Sequence, residues 1–264
     1  MLQVEHISKT FNAGTINERV ALDDITLTLE EGDFVTVIGG NGAGKSTMLN
    51  AIAGVWPVDE GRILIDGKDV TALPEYKRAA FLGRVFQDPM TGTAANMGID
   101  ENLAMAARRG QRRGLRWGIT AAEREEYVGL LKNLDLGLET RLTSKVGLLS
   151  GGQRQAVTLL MATLKKPKLL LLDEHTAALD PKTAAKVLEL SDRIVRSQGL
   201  TTMMITHNMK DAIKYGNRLI MMNEGRVIYD VRGEEKQRLH VADLLAKFEE
   251  AGGGETVTDS MVLS

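Results

Sequence analysis

Lys45 and Ser46 close the run Gly39-Gly40-Asn41-Gly42-Ala43-Gly44-Lys45-Ser46-Thr47, which follows the apolar stretch 34–38. Glycines at this spacing let successive backbone N–H groups converge on phosphate oxygens. A lysine then reaches the terminal phosphates, and a serine hydroxyl suits a magnesium ion. The chemistry served is the binding of ATP with Mg²⁺. A helix predicted to begin near Lys45, with Met48, Leu49, Ile52 and Ala53 on its apolar side, points its N-terminal N–H groups and positive dipole end at the same phosphates.

Asp173 and Glu174 directly follow the continuously apolar run 169–172. Beside a phosphate loop, an aspartate at a strand end can hold Mg²⁺ directly or through water, and the next carboxylate is placed to polarise an attacking water. A second glycine-rich turn, Ser150-Gly151-Gly152-Gln153, opens a predicted helix through Leu159, Leu160 and Leu164. Ser150 can cap or donate, the glycines allow close approach, and the helix N-terminus favours an anion. Alone, the carboxylates would read as a solvated strand end and the second motif as a capped turn.

These motifs need strands and helices to hold them. Strand-like runs fall at 2–7, 25–29, 34–38, 62–65, 83–86, 169–172, 202–205 and 219–222, with helical stretches between several of them. The interleaving predicts an α/β core with a largely parallel sheet, and the run 169–172 reads as a strand covered on both faces. From about 96 to 165 strand signals give way to Ala-, Leu- and Arg-rich segments, a helical subdomain inserted into the core. A helix is expected over 183–197, with Ala184, Val187, Leu188, Ser191 and Val195 on one face. Another presents Val241, Leu244, Leu245 and Phe248, stopped by Gly252-Gly253-Gly254, with a frayed tail beyond.

With 264 residues, 43% of them hydrophobic and 26% charged, the chain can bury a substantial core. Its formal net charge of −2 carries no overall field for nucleic acid. The absence of cysteine rules out disulfides, thiolate metal sites and cysteine nucleophiles. No run approaches the ~18–20 apolar residues of a membrane span, and the N-terminus lacks a signal-peptide layout, so any membrane role is expected to come through a partner. The twelve methionines, Met203-Met204 and Met221-Met222 among them, read as core filling.

Taken together and in order, the motifs resemble the ATP-binding subunit of an ABC transporter over about residues 1–235. The resemblance implies a P-loop NTPase with an ABC-type ATPase core and an inserted helical subdomain at about 96–165, followed by a C-terminal helix and flexible tail over 236–264. It also implies roles. Phe11 falls where the family stacks an aromatic on adenine, and Gln87 matches the Q-loop glutamine that touches Mg²⁺ and the attacking water and borders the transmembrane partner. Ser150, Gly151, Gly152 and Gln153 match the signature motif, Asp180 the D-loop, and His207 the switch histidine on the γ-phosphate. Taken singly, Phe11 would read as core packing, Gln87 as a strand-edge polar residue and His207 as a helix cap.

The same resemblance implies a head-to-tail homodimer, or a pair with a related subunit, each ATP lying between the P-loop of one chain and the signature motif of the other. It implies transmembrane permease subunits, indirectly an extracytoplasmic substrate-binding protein, no nucleic acid, and a place on the cytoplasmic face of the membrane. The stretch from Glu101 to Gly118 also resembles a subgroup of bacterial importer ATPases, some linked to aromatic or other hydrophobic amino acids. A soluble ABC ATPase of a cytosolic assembly, such as iron–sulfur cluster biogenesis, shares every nucleotide motif. A P-loop kinase leaves the motif at 149–155 unexplained.

His175 stands where many relatives carry proline, and Gly40 where proline or serine is common; both are expected to tune loop stiffness. Arg108, Arg109, Arg112, Arg113 and Arg116, with Gly110, Gly114 and Trp117, form a basic stretch with two readings. One is a solvated loop beside the acidic residues of 123–126. The other is contact with lipid headgroups or an acidic face of a transmembrane partner.

Overall fold

The computed structural model describes residues 1–111 and 118–251. The strands are β1 (Leu2–Phe11), β2 (Arg19–Leu29), β3 (Phe34–Gly39), β4 (Glu60–Ile65), β5 (Lys68–Asp69), β6 (Leu82–Val85), β7 (Leu169–Asp173), β8 (Thr202–Ile205), β9 (Arg218–Asn223) and β10 (Arg226–Arg232). The α-helices are α1 (Lys45–Ala53), α2 (Glu75–Arg78), α3 (Ile99–Ala107), α4 (Ala121–Lys132), α5 (Gly151–Thr163), α6 (Pro181–Gln198), α7 (Met209–Lys214), α8 (Gly233–Gln237) and α9 (Val241–Glu250). They divide into two compact units: Met1–Phe81 with the described residues from Gly199 onward, and Leu82–Gln198.

In the first unit β3 is buried along its whole length. It pairs in parallel with β8 and β9, and β10 adds an antiparallel edge on β9. A strand enclosed in this way is mostly apolar, so Phe34, Val35, Val37 and Ile38 run without alternation, and the one buried polar residue among them, Thr36, donates its hydroxyl to the Ala212 and Arg218 carbonyls. Met203, Met204, Met221 and Met222 are all buried in the flanking strands, as core filling requires. Helices α7 and α9 cover one side: Leu244 and Phe248 of α9 pack with Met209, Ala212, Leu219, Met221 and Val231. Gly252-Gly253-Gly254 and the tail lie outside the described residues.

The largely parallel pattern expected from the sequence is joined by a second sheet, antiparallel, in the order β2-β1-β4-β5. β1 and β2 run longer than their apolar cores. Register shifts between Val4 and Thr10 interrupt the alternation, so polar residues still pair, Lys9 and Thr10 with β2 and Ser8 with β4.

The second unit contains the parallel pair β6–β7 and the helices α3 to α6. Between residues 96 and 165 the described residues form no strand, only helices and an isolated bridge from Gly98 to Lys145. Of the face expected from the periodicity, Val187, Leu188, Ser191 and Val195 of α6 are buried and Ala184 is half-buried, and Leu190 is buried beside them. In the basic stretch Arg108 pairs with Glu123 at 2.8 Å, and Arg109 donates to the Ala162 carbonyl at 3.3 Å. Arg112, Arg113, Gly114, Arg116 and Trp117 lie outside the described residues.

Candidate active site

In the first unit the loop from Gly39 to Gly44 joins the C-terminal end of β3 to the start of α1. Gly44 holds φ at +97°, and a Cβ there would come 2.5 Å from the Ala21 carbonyl oxygen and 3.3 Å from Gly225 Cα. Only glycine fits both the dihedral and the gap. The loop is pinned from behind, since Gly225 N–H donates to the Ala43 carbonyl at 3.1 Å and Asp23 N–H to the Gly225 carbonyl at 3.0 Å. Lys45 is buried and its Nζ donates to the carbonyls of Gly39 at 2.7 Å and Gly40 at 3.0 Å. Its ammonium is therefore held over the loop. The first turn of α1 presents its N–H groups and the positive end of the helix dipole at the loop, the arrangement that favours an anion at a helix start.

Phe11, the last residue of β1, sits opposite Arg19 of β2. Its ring meets Trp56 edge-on, with centroids 5.5 Å apart and planes at 84°. The Arg19 guanidinium donates to the Gly42 carbonyl at 3.1 Å, tying the end of this strand pair to the loop. His207 follows β8, the parallel neighbour of β3. Thr206 N–H donates to the Val37 carbonyl at 3.1 Å, and the Asn208 side chain caps α7 through Asp211 N–H. The loop and His207 thus share the carboxyl edge of adjacent parallel strands, where α/β sheets bind ligands.

The second unit repeats that geometry. β6 leads into Phe86 and the exposed Gln87, β7 ends at Asp173, and Val85 registers with Leu172. Gln87, Asp173 and Glu174 therefore lie at one sheet edge. The Arg84 guanidinium stands 3.4 Å from an Asp173 carboxylate oxygen and 4.5 Å from the centre of the Phe86 ring. Glu174 adopts φ of +44°, uncommon for a residue with a side chain. The amide of Gln155, on α5, donates to the Phe86 carbonyl at 3.2 Å, linking the second glycine-rich motif to the strand that carries Gln87.

At the start of α5 Ser150 and Gln153 form a reciprocal capping box: Gln153 N–H donates to Ser150 Oγ at 3.3 Å and Ser150 N–H to Gln153 Oε1 at 3.2 Å. Gly151 is exposed. Gly152 is buried, and a Cβ on it would lie 2.3 Å from Thr183 Cγ2. Asp180 accepts from Thr183 N–H at 3.1 Å and so caps α6, and these hydrogen bonds with Thr183 lower its pKa.

The sequence profile described as ABC transporter matches residues 22–177. The chain belongs to the ABC transporter family. It is 45% identical to a tyrosine transport ATP-binding protein of Clostridioides difficile (strain R20291), over 95% of this chain and all of that one. It is 36% identical to the methionine import ATP-binding protein MetN of Corynebacterium diphtheriae (strain ATCC 700971 / NCTC 13129 / Biotype gravis), over 86% of this chain and 64% of the relative. Among solved structures it resembles the dimeric, post-hydrolysis ATP-binding cassette MJ0796 bound to ADP and Pi, with a TM-score of 0.75, 30% identity, and coverage of 91% of this chain and 100% of that one.

As an ABC ATPase the chain binds ATP and couples its hydrolysis to transport. ABC ATPases of this kind work as dimers with membrane permease components. Among the described residues no helix is long and apolar enough to cross a membrane. In the first unit the Ser46 hydroxyl, and in the second the Asp173 carboxylate and the Gln87 amide oxygen, are hard oxygens of the kind a small divalent cation takes. Trp56, Arg19 and Arg84 have no sequence signal of their own. Each acquires its place only through a strand pairing or a ring contact.

Proposed function

We propose that this chain is the ATPase subunit of an importer for an aromatic amino acid, working as a head-to-tail pair on the cytoplasmic face of the membrane. The observation that carries the substrate class is the full-length likeness to the tyrosine transport ATP-binding protein. An extracytoplasmic binding protein would deliver the solute to the permease. Residues 1–235 constitute the ATP-binding domain and 236–264 an appendage.

Each site residue then has a role. Phe11 stacks on adenine. Gly39, Gly40, Asn41, Gly42, Ala43, Gly44 and Thr47 present backbone and side-chain groups to the phosphates, and Lys45 turns from its loop carbonyls to them. Ser46, Asp173 and Gln87 would hold Mg²⁺, which screens the phosphate charge when bound. Glu174 accepts the proton of the attacking water, and His207 orients the γ-phosphate. Ser150, Gly151, Gly152, Gln153 and Asp180 serve the nucleotide of the second copy. Two phosphate-binding motifs on one chain are thereby accounted for.

Glu174→Gln tests the chemistry. ATP binding is expected to stay within about threefold of wild type while turnover falls at least ~100-fold, the usual scale for loss of a general base, and a nucleotide-locked dimer accumulates on gel filtration. Full turnover in that variant sinks the assignment. For the substrate, the chain purified from detergent-solubilised membranes of its own host with its permease and reconstituted should take up labelled tyrosine in preference to methionine. A purely soluble complex in that purification would overturn the transporter reading.

A further inference from the structure

Glu174 is followed by a buried histidine. His175 and Ser191 of α6 are 2% and 1% exposed, and His175 Nε2 lies 2.9 Å from Ser191 Oγ. The Ser191 hydroxyl donates its single proton to the Val187 carbonyl at 2.8 Å. Towards His175 it can therefore only accept, so Nε2 carries the proton and the tautomer is fixed by geometry.

The backbone on either side of this contact is held. Asp173 is the last residue of β7. After Glu174 the chain turns, with Ala177 N–H donating to the Glu174 carbonyl at 2.9 Å and Leu179 N–H to the Thr176 carbonyl at 3.1 Å. Between them Glu174 sits at φ of +44°, a conformation that persists only where the surroundings over-determine it. The very next side chain makes a buried, directional bond to a helix 16 residues along.

We propose that His175 and Ser191 are a positioning pair that holds Glu174 in its strained conformation, so that its carboxylate meets the attacking water. The inference rests on the reading of Glu174 as the group that takes the water's proton. Neither member of the pair touches nucleotide, so their loss should appear in turnover and not in ATP affinity.

The test uses the purified full-length chain, with steady-state ATPase measurements and equilibrium titration of a fluorescent ATP analogue. Ser191→Ala is expected to lower kcat about tenfold while ATP affinity stays within about twofold. Ser191→Thr, which keeps the hydroxyl, should recover kcat to within about threefold of wild type. In a His175→Leu background, itself low in kcat, adding Ser191→Ala should change nothing further, because the pair acts as a unit. If Ser191→Ala does not fold, His175→Leu alone carries the same expectation, since it leaves the Ser191 to Val187 bond in place. Wild-type kcat in Ser191→Ala, a parallel fall of kcat and affinity, or additive effects in the double variant would each overturn the proposal. Glu174→Gln measured beside them separates the two failures. If that variant turns over normally, the proton-acceptor reading has failed. If it is inactive while Ser191→Ala is unaffected, only the positioning pair has.

Discussion

Replacing Arg78 by methionine should destabilise the unit that carries the phosphate loop, and the size of the effect follows from its bonds. Arg78 is 2% exposed, and its guanidinium donates to four backbone carbonyls: Ala51 at 2.7 Å, Ile52 at 2.9 Å, Leu73 at 2.8 Å and Thr71 at 2.8 Å. Ala51 and Ile52 lie in the last turn of α1, whose carbonyls have no intrahelical partner, so a residue 26 or 27 positions away finishes the loop's own helix. Charge-assisted bonds contribute ~1.5–3 kcal/mol each, so four would sum to roughly 6–12. Methionine avoids the desolvation of a buried cation, which returns several kcal/mol. Ala51 also keeps the Gly54 N–H at 3.2 Å, so it is not orphaned. The remaining loss is about 3–5 kcal/mol, a large share of the ~5–15 that holds a domain together. At about 2 kcal/mol per molar urea the unfolding midpoint should fall by roughly 1.5–2.5 M, followed by the fluorescence of Trp56 in the same unit. Lysine, with one compact ammonium, cannot reach all four carbonyls and should recover less than half of the loss. A methionine variant within about 1 M of the wild-type midpoint would refute the reasoning that these bonds close the helix.

Gly44→Ala adds a Cβ 2.5 Å from the Ala21 carbonyl at φ of +97°, and the dihedral alone costs ~1–2 kcal/mol, so ATP affinity should drop at least about fivefold; a titration giving wild-type affinity would show that the loop relaxes freely. Phe11→Ala should weaken ATP binding by ~1–3 kcal/mol if the ring stacks on the base, measured by the same titration, and an unchanged value would leave Phe11 only its contact with Trp56. Lys236 donates to the carbonyls of Ile213, Tyr215 and Gly216 from a buried position, and burial lowers its pKa to about 8 from 10.5. Between those values the unfolded chain holds a proton that the folded one has lost, so wild-type stability should rise with pH from 8 to 10.5 relative to Lys236→Met, by on the order of 1–2 kcal/mol after screening. A pH-independent gap between the two proteins in urea titrations would contradict the lowered pKa.

What could be read from the sequence was whatever the chain encodes locally. The phosphate loop, the 169–172 strand with its two carboxylates, and the capped glycine turn at Ser150 are contiguous. Their geometry follows from φ freedom, apolar periodicity and capping, all of which act within a few residues. β10 escaped because Arg226–Arg232 mixes charged and apolar residues on an edge strand, and its pairing with β9 is made by a register, not by a pattern. β1 and β2 were read short because their bulges break the alternation. The pairings that stiffen the site were illegible for a different reason: His175 stands out in the sequence as a residue that sets loop stiffness, but its contact with Ser191, like those of Arg78 and Arg19 with backbone carbonyls, spans separations of 5 to 27 residues, where nothing in the local composition marks the partner. The division has a physical basis. A group that binds phosphate must be presented by a particular backbone shape, and that shape demands particular residue types next to one another. A restraint on that shape demands only a donor and an acceptor at the right place in the fold, which many residues can supply from many positions. Substitutions of the second kind should therefore change rate or stability while every recognisable motif stays intact.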